Sequence, residues 1–436
     1  MRWLLLLPLL ALAAAAEAGD LPEPIADADY MTTTPEAVAL GRLLFYDPLL
    51  SGSKTVSCAT CHHPSLGTSD GLSLGIGDGG TGLGPERHIV ADNLPEQRIP
   101  RNAPALFNLG AHEFTSMFHA GRLEADPTKP GGIRTPLGQE MVEGFSGVLS
   151  AQAMFPVLSQ DEMAGHYGES DISKAVRTGL LTGPGGAWDL IAKRVEAVPD
   201  YRAMFDEAIG DRAIQFTDIS NMIAEFITFE WRADQSPFDR HLRGIEPLSG
   251  PAANGMALFY GKAGCDGCHS GKFLTDQSFH AIAMPQIGPG KVERFESDAN
   301  DIGRFRVTGD PADAYRFRTP SLRNVALTGP YGHDGAYAAL KGVVRHHLDP
   351  IAGLAGYDIS QAVLPILPGA TETDRIILSD KAEMAAIAAA NELAPVDLSD
   401  AEVAALIAFL ESLTDPVSRT GLLGVPETVP SGLPVD

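Results

Sequence analysis

All four cysteines of this chain stand in two copies of one pattern, Cys58-Ala59-Thr60-Cys61-His62 and Cys265-Asp266-Gly267-Cys268-His269. Cys-x-x-Cys-His is the attachment pattern of a c-type haem. The two thiols bond to the porphyrin edge, and the adjacent imidazole binds iron from one side. A zinc ribbon uses the same residue types, but its second Cys pair follows the first by roughly 15–20 residues. Here the pairs lie in different halves of the chain. A thioredoxin-like dithiol needs no following His and would hardly occur twice. No thiol is left over for a disulfide, a cluster or a nucleophile. Two covalently bound haem c groups are therefore expected, with His62 and His269 on the irons, and the first hypothesis is redox chemistry.

A haem that only shuttles electrons keeps both axial positions filled. A haem that activates peroxide needs one open position, a dry pocket and a group that moves a proton between the two oxygens. The residues facing each iron on its second side therefore decide the function.

The surrounding sequence is a diverged duplication. Gly41-Arg42-Leu43-Leu44-Phe45-Tyr46 precedes the first motif, and Gly255-Met256-Ala257-Leu258-Phe259-Tyr260 precedes the second. Each reads as an amphipathic helix entering an attachment loop. The expected fold class is mainly α with extensive loops, in two cytochrome c-like domains with one c-type haem each. Residues 19–240 would form the first domain and 241–436 the second, with a tail. Helical periodicity covers Ile172–Val198 and Phe216–Trp231, the latter with Thr217-Asp218 as its cap. Leu398-Ser399-Asp400-Ala401-Glu402 opens a further helix with Val403, Leu406, Ile407, Leu410 and Leu413 on its apolar face, stopped by Pro416. Ile76 to Arg101 reads as loop, and the segment after Val417 as a surface wrap.

Arg2, the apolar run Trp3 to Ala16 and the small-x-small Ala16-Glu17-Ala18 read as a secretory signal cleaved after Ala18. No later stretch approaches about 18 uninterrupted apolar residues, so no membrane span is expected after cleavage. Covalent haem attachment and export together point to the periplasm. The net charge of −24 argues against nucleic acid and anionic membranes as partners. It permits steering of a basic electron carrier. A hydrophobic fraction of 44% supports proper cores, while 46 Gly and 32 Pro imply much loop.

Several linked stretches resemble the diheme bacterial cytochrome c peroxidase family, including the diheme maturation enzyme of methylamine dehydrogenase. They are Arg101-Asn102-Ala103-Pro104, Phe118-His119-Ala120-Gly121-Arg122, Asp161-Glu162-Met163, Phe317-Arg318-Thr319-Pro320 through Val325, and Gly329-Pro330-Tyr331-Gly332-His333-Asp334-Gly335. The resemblance covers nearly the whole chain after the signal. It implies that Glu162 is the acid–base group for peroxide cleavage at the first haem, with Gln152 as its polar partner and Pro156 between them. Gln139-Glu140-Met141 has similar letters at the wrong spacing. An extra segment, roughly Asp126 to Phe145, separates Arg122 from Gln152.

Many family members block the first iron with a His in the loop after the first motif. Here that loop reads Leu74-Gly75-Ile76-Gly77-Asp78-Gly79-Gly80, with Asp78 about where the His would stand and His88 as the nearby substitute. The first haem is therefore expected to be five-coordinate. The resemblance sets the second haem's other ligand nineteen residues beyond Thr328, at His347. His346 is second choice, since adjacent helical residues point about 100° apart. Met284 is a weaker rival and reads as core. The resemblance also implies one Ca²⁺ between the haems, held by the Asn102 side chain and the backbone carbonyls of Thr328 and Pro330. His119 replaces a Trp that the family places between its haems. His280 and His333 read as structural loop residues near the second haem.

The expected function is a periplasmic diheme peroxidase that reduces hydrogen peroxide with electrons from a small cytochrome or cupredoxin. One rival is a diheme oxidase that modifies a partner protein through high-valent haem. Another is a non-catalytic diheme electron-transfer protein. Family members are usually dimers, so a homodimer is possible.

Overall fold

A computed structural model describes residues 21–291 and 299–436. The signal-peptide reading falls outside them. Helices and long loops make up nearly all of the fold. Strands are confined to short pieces, the longest being Leu123–Ala125.

The duplicated sequence builds the same helix crossing twice. Pro35–Tyr46 is capped by the Thr34 hydroxyl, which accepts from Ala37 N at 3.3 Å. It packs against the helix Phe216–Glu230. The backbones meet at Gly41, where a Cβ would lie 1.9 Å from the Met222 carbonyl oxygen. In the second half, Gly250–Phe259 packs against Asp400–Glu411. There a Cβ on Gly255 would lie 1.9 Å from the Ala405 carbonyl oxygen. Only glycine permits either approach. Four residues on, Phe45 meets Phe226 at 5.3 Å and Phe259 meets Phe409 at 5.1 Å between ring centres. The following tyrosines match too: Tyr46–Phe226 is 6.2 Å and Tyr260–Phe409 is 6.3 Å.

Two main apolar cores surround these crossings. The larger gathers Leu40, Leu44, Phe45, Tyr201, Phe205, Phe226 and Trp231. The smaller gathers Phe238, Phe259, Leu406, Phe409 and Leu413. The chain then ties the halves together. Arg42 donates to the Gly424 carbonyl at 2.9 Å, and Glu230 accepts from Leu423 N and Gly424 N at 2.8 and 2.9 Å. Ser431 donates to Asp47 at 2.7 Å, and the Thr60 hydroxyl donates to the Asp436 carboxylate. The tail after Val417 thus lies across the first half, down to its Cys-x-x-Cys-His loop.

Three sequence expectations need correction. Ile172–Val198 is not one helix. It divides into Asp171–Arg177 and Ala187–Glu196, separated by Gly183-Pro184-Gly185-Gly186, whose glycines 183 and 185 take positive φ. The helix starting at Phe216 is capped from Gln215, whose N–H donates to Asp218 at 2.8 Å. The last long helix ends at Glu411, short of Pro416, which instead opens a 3₁₀ turn. Its start was read correctly, since Ser399 and Glu402 close a capping box. Among the described residues no helix is long and apolar enough to cross a membrane.

Gly255→Ala is expected to destabilise the holoprotein by about 3 kcal/mol or more, because a backbone carbonyl must give way. Gly147→Ala meets only Met31 Sδ at 3.9 Å and should stay within about 0.5 kcal/mol. Urea unfolding of the two variants measures the contrast.

Candidate active site

The first motif forms one helical turn, Cys58–Cys61, with His62 at its end. His62 Nδ1 lies 2.9 Å from the carbonyl oxygen of Thr68. Thr68 has φ +59°, and its hydroxyl accepts from Leu106 N at 2.9 Å, so the carbonyl is fixed in place. Donating through Nδ1 leaves the lone pair of Nε2 for a metal. The second motif repeats the device. His269 Nδ1 lies 3.2 Å from the carbonyl of Leu274, whose φ is +52°. Burial lowers the pKa of both imidazoles, that of His269 to about 4 with help from His347. Both rings are therefore neutral, the form that ligates.

None of the four cysteines is in a disulfide. Burial pushes the thiols of Cys58 and Cys265 up to about 12 and raises those of Cys61 and Cys268. A thiol of that kind is not a nucleophile or a redox dithiol. Thiols plus a neutral, oriented imidazole fit the donor set of a c-type haem at both places.

Cys58, Cys61 and His62 line a cavity with about 1060 Å³ of empty space, its open mouth included. Gln152, Pro156 and Glu162 line the same cavity. Gln152 comes from the helix Val148–Ala153, and Glu162 from a π-turn, Gln160–Ala164. Such turns re-aim a side chain and recur at functional sites. The Glu162 carbonyl accepts from Asp78 N at 3.0 Å. A Cβ on the neighbouring Gly77 would fall 2.3 Å from the carbonyls of Asp161 and Glu162. The loop after the first motif is thus clamped to the turn carrying Glu162.

The Asp78 side chain turns away from this cavity. It accepts from Ser53 and, at 3.2 Å, from Asn93. His88 is exposed on a short strand and does not line the cavity.

Three lining residues carried no role in the sequence reading. Burial raises the Asp70 carboxyl to about 7. Arg122 lies 3.8 Å above the Phe118 ring. Lys291 is drawn down to about 8 by burial and by Arg122, against the pull of Glu162. Arg122 belongs to a quoted motif, but Lys291 reaches the cavity from a distant segment and has no local signal.

At the second site the His269 and His347 rings lie 6.4 Å apart between centres, with planes at 53°. That spacing suits one metal held between two imidazoles at the ordinary bond length of about 2 Å. His347 Nδ1 bonds to the Val343 carbonyl of its own helix at 2.8 Å, which leaves Nε2. Both nitrogens of His346 are engaged, one with the Tyr337 hydroxyl at 3.0 Å and one with the Ile282 carbonyl at 2.8 Å. Met284 is buried in a separate cluster with Ala336, Tyr337 and Val343. His280 bridges Asp276 and Glu392 at 2.8 and 3.0 Å.

In the lining of the first cavity, His119 Nε2 bonds to the Asn102 carbonyl at 3.0 Å, and Asn102 N donates to the His333 carbonyl at 2.9 Å. His333 stacks on Phe317 at 3.8 Å. Arg101 grips Asp301 through two bonds of 2.7 Å. Asn102 donates its amide to the Leu72 carbonyl at 2.7 Å, so its side-chain oxygen remains as an acceptor.

The family model for di-haem cytochrome c peroxidase matches residues 35–246. The chain is 33% identical to "Methylamine utilization protein MauG" of Methylorubrum extorquens, over 75% of this chain and 72% of that one. The chain belongs to the di-haem cytochrome c peroxidase and MauG family. Another relative is "Cytochrome-c peroxidase IdrP1" of Denitromonas iodatirespirans, 28% identical over 93% of this chain and 91% of that one. Among solved structures, a MauG-like protein associated with microbial copper homeostasis superposes with a TM-score of 0.58 at 26% identity, covering 96% of this chain and 97% of that one. Membership makes the protein an oxidoreductase of a two-haem family.

In this di-haem protein the Arg101–Asp301 pair joins the stretch after the first motif to the second half. Burial alone would raise the Asp301 pKa, but Arg101 holds it well below its ordinary 3.8. The stabilisation is complete above the ordinary carboxylate range and is lost as pH falls towards the depressed folded value. Asp301→Asn should cost about 3–5 kcal/mol at pH 7. It should also flatten the acid limb of a stability-versus-pH curve measured by urea unfolding.

Proposed function

We propose that the protein is a periplasmic diheme c-type peroxidase that reduces hydrogen peroxide to water with electrons from a small cytochrome or cupredoxin. The observation that carries this reading is an asymmetry. His62 shares its cavity with an acid and an amide, Glu162 and Gln152, whereas His269 faces a second imidazole, His347. A haem bound beside His62 would supply the redox centre for O–O cleavage, and one bound beside His269 and His347 would supply an electron relay.

In this reading each half is a cytochrome c-like domain, 19–240 and 241–436, holding one haem through Cys58 and Cys61 or Cys265 and Cys268. Glu162 takes the proton from the near oxygen of peroxide and returns it to the departing one. Gln152 offers both an N–H donor and a carbonyl acceptor, which orient the substrate. Asp78, through its N–H bond to the Glu162 carbonyl, keeps that turn from drifting. His347, with His269, would hold the second iron. Asn102, Thr328 and Pro330 offer oxygens for one Ca²⁺ between the haems, a donor set suited to a hard cation. The signal at residues 1–18 would deliver the chain to the compartment where haem c is attached.

A second reading, oxidation of a partner protein, is favoured by the likeness to the MauG protein. Steady-state peroxide turnover with a reduced small carrier separates the two. Sustained turnover supports the peroxidase. Oxidation of a bound protein without carrier turnover supports the other.

Glu162→Gln should lower kcat/KM for peroxide by about 10²–10⁴, with haem content and the second haem's spectrum unchanged. A variant as fast as the parent removes Glu162 from the mechanism. His347→Met should raise the second haem's midpoint potential by on the order of 100 mV, because thioether ligation favours the reduced iron. Spectroelectrochemical titration measures it, and an unchanged potential would show that His347 is not a ligand.

A further inference from the structure

We infer that Asp78, His166 and Glu169 form a binding site for one divalent transition-metal ion of the zinc class, next to but outside the first cavity. One ligand atom from each residue can be chosen so that all three lie within 4.8 Å of one another. The donors come from three separate places. Asp78 lies in the loop after the first attachment motif, His166 just beyond the π-turn carrying Glu162, and Glu169 just ahead of the helix Asp171–Arg177. None of the three lines the first cavity.

The imidazole is the decisive observation. Both ring nitrogens of His166 are shielded from solvent, and neither has a hydrogen-bond partner. The nearest charged group is Glu96, 4.0 Å from Nδ1 and itself acidic. An imidazole whose two nitrogens are both shielded and unsatisfied is costly in any protonation state, and a metal on one of them removes part of that cost.

The carboxylates make a second, independent observation. Asp78 Oδ2 and Glu169 Oε2 both close over Gly165: a Cβ there would lie 3.2 Å from the first and 2.6 Å from the second. Gly165 has φ +79°, so the chain passes beneath the two oxygens with no side chain between them. Each carboxylate is already held by protein donors. Asp78 accepts from Ser53 and Asn93, and Glu169 from the His166 N–H at 2.7 Å. The two carboxylates thus face one another as like charges held close together. A divalent cation neutralises both.

Two carboxylates with one imidazole match zinc-class ions better than calcium or magnesium, which take oxygen alone. Bonds of about 2.0–2.2 Å require the three side chains to close inward slightly by rotation, with water as the fourth ligand. The ion would act as a clamp. It would fasten the loop after the first motif to the segment following Glu162, next to the Asp78 N–H bond to the Glu162 carbonyl. Binding of the metal is independent of the peroxidase reading; only the benefit to Glu162 rests on it.

The test is metal stoichiometry on the full-length holoprotein. Wild type, His166→Ala and Glu169→Gln are stripped with a chelator, dialysed against Zn²⁺, freed of excess and analysed for zinc against haem iron. Wild type should retain one zinc per two irons, and its thermal midpoint should rise with Zn²⁺. Glu169→Gln, a mild change at an exposed residue, should keep its haem and bind Zn²⁺ at least about tenfold more weakly. His166→Ala should lose the zinc entirely; if it does not load haem, Glu169→Gln alone decides. Wild type that retains no zinc, or a Glu169→Gln variant that binds as tightly as wild type, overturns the site. Peroxide turnover enters neither outcome, so failure here leaves the proposed activity standing, and the reverse.

Discussion

One hydrogen bond, made twice, organises this protein. Each motif histidine gives its Nδ1 proton to a carbonyl presented by a residue in the left-handed region, Thr68 in one half and Leu274 in the other. That bond sets the tautomer, aims the ring and leaves Nε2 for a metal. A β-branched or bulky residue at positive φ is strained, and the surrounding packing must hold it there. Leu274 is fully buried, and Thr68 is pinned through its hydroxyl. The duplicated helix crossings at Gly41 and Gly255 supply the rigid frame on which these loops sit.

The two halves share that device and diverge on what accompanies it. In the first half the space beside His62 collects Glu162, Gln152, Asp70, Arg122 and Lys291, a set able to hold and move protons. In the second half the space beside His269 is taken by another imidazole. The asymmetry arises from one helix. Leu340–Leu348 presents adjacent histidines whose planes differ by 88°, and Tyr337 and Ile282 tie His346 so that only His347 is left to face His269. His119, in the lining of the first cavity, is bonded to backbone, its pKa pulled to about 4 by burial and Arg101. His119, Asn102, His333 and Phe317 are linked by hydrogen bonds and ring stacking.

Much of this could be read from the chain because its chemistry is local. The Cys-x-x-Cys-His motifs, the repeated Gly-x-x-x-Phe-Tyr before each and the Ser399/Glu402 capping box are contiguous signals. Each fixed an element that the fold contains. Periodicity misled where punctuation should have overruled it: Gly183-Pro184-Gly185-Gly186 breaks a stretch whose apolar spacing looked continuous. The cap at Gln215 escaped notice because Asp218 works there as the third helical residue's acceptor, not as the cap itself. Asp78 was placed from the family's loop register, which gives a position along the chain and not a side-chain direction. Lys291 and the union of Asp78 with His166 and Glu169 arise only from tertiary contact, and no short window of sequence contains them. The docking of the tail on Arg42, Asp47, Thr60 and Glu230 is equally non-local.

We propose that the iron beside His62 keeps a vacant position while the iron beside His269 is held by two imidazoles. Low-temperature EPR of the fully ferric holoprotein tests it most directly. The expected spectrum contains one high-spin and one low-spin haem signal in equal amounts. Two low-spin signals with no high-spin component, unchanged on adding peroxide, would contradict it.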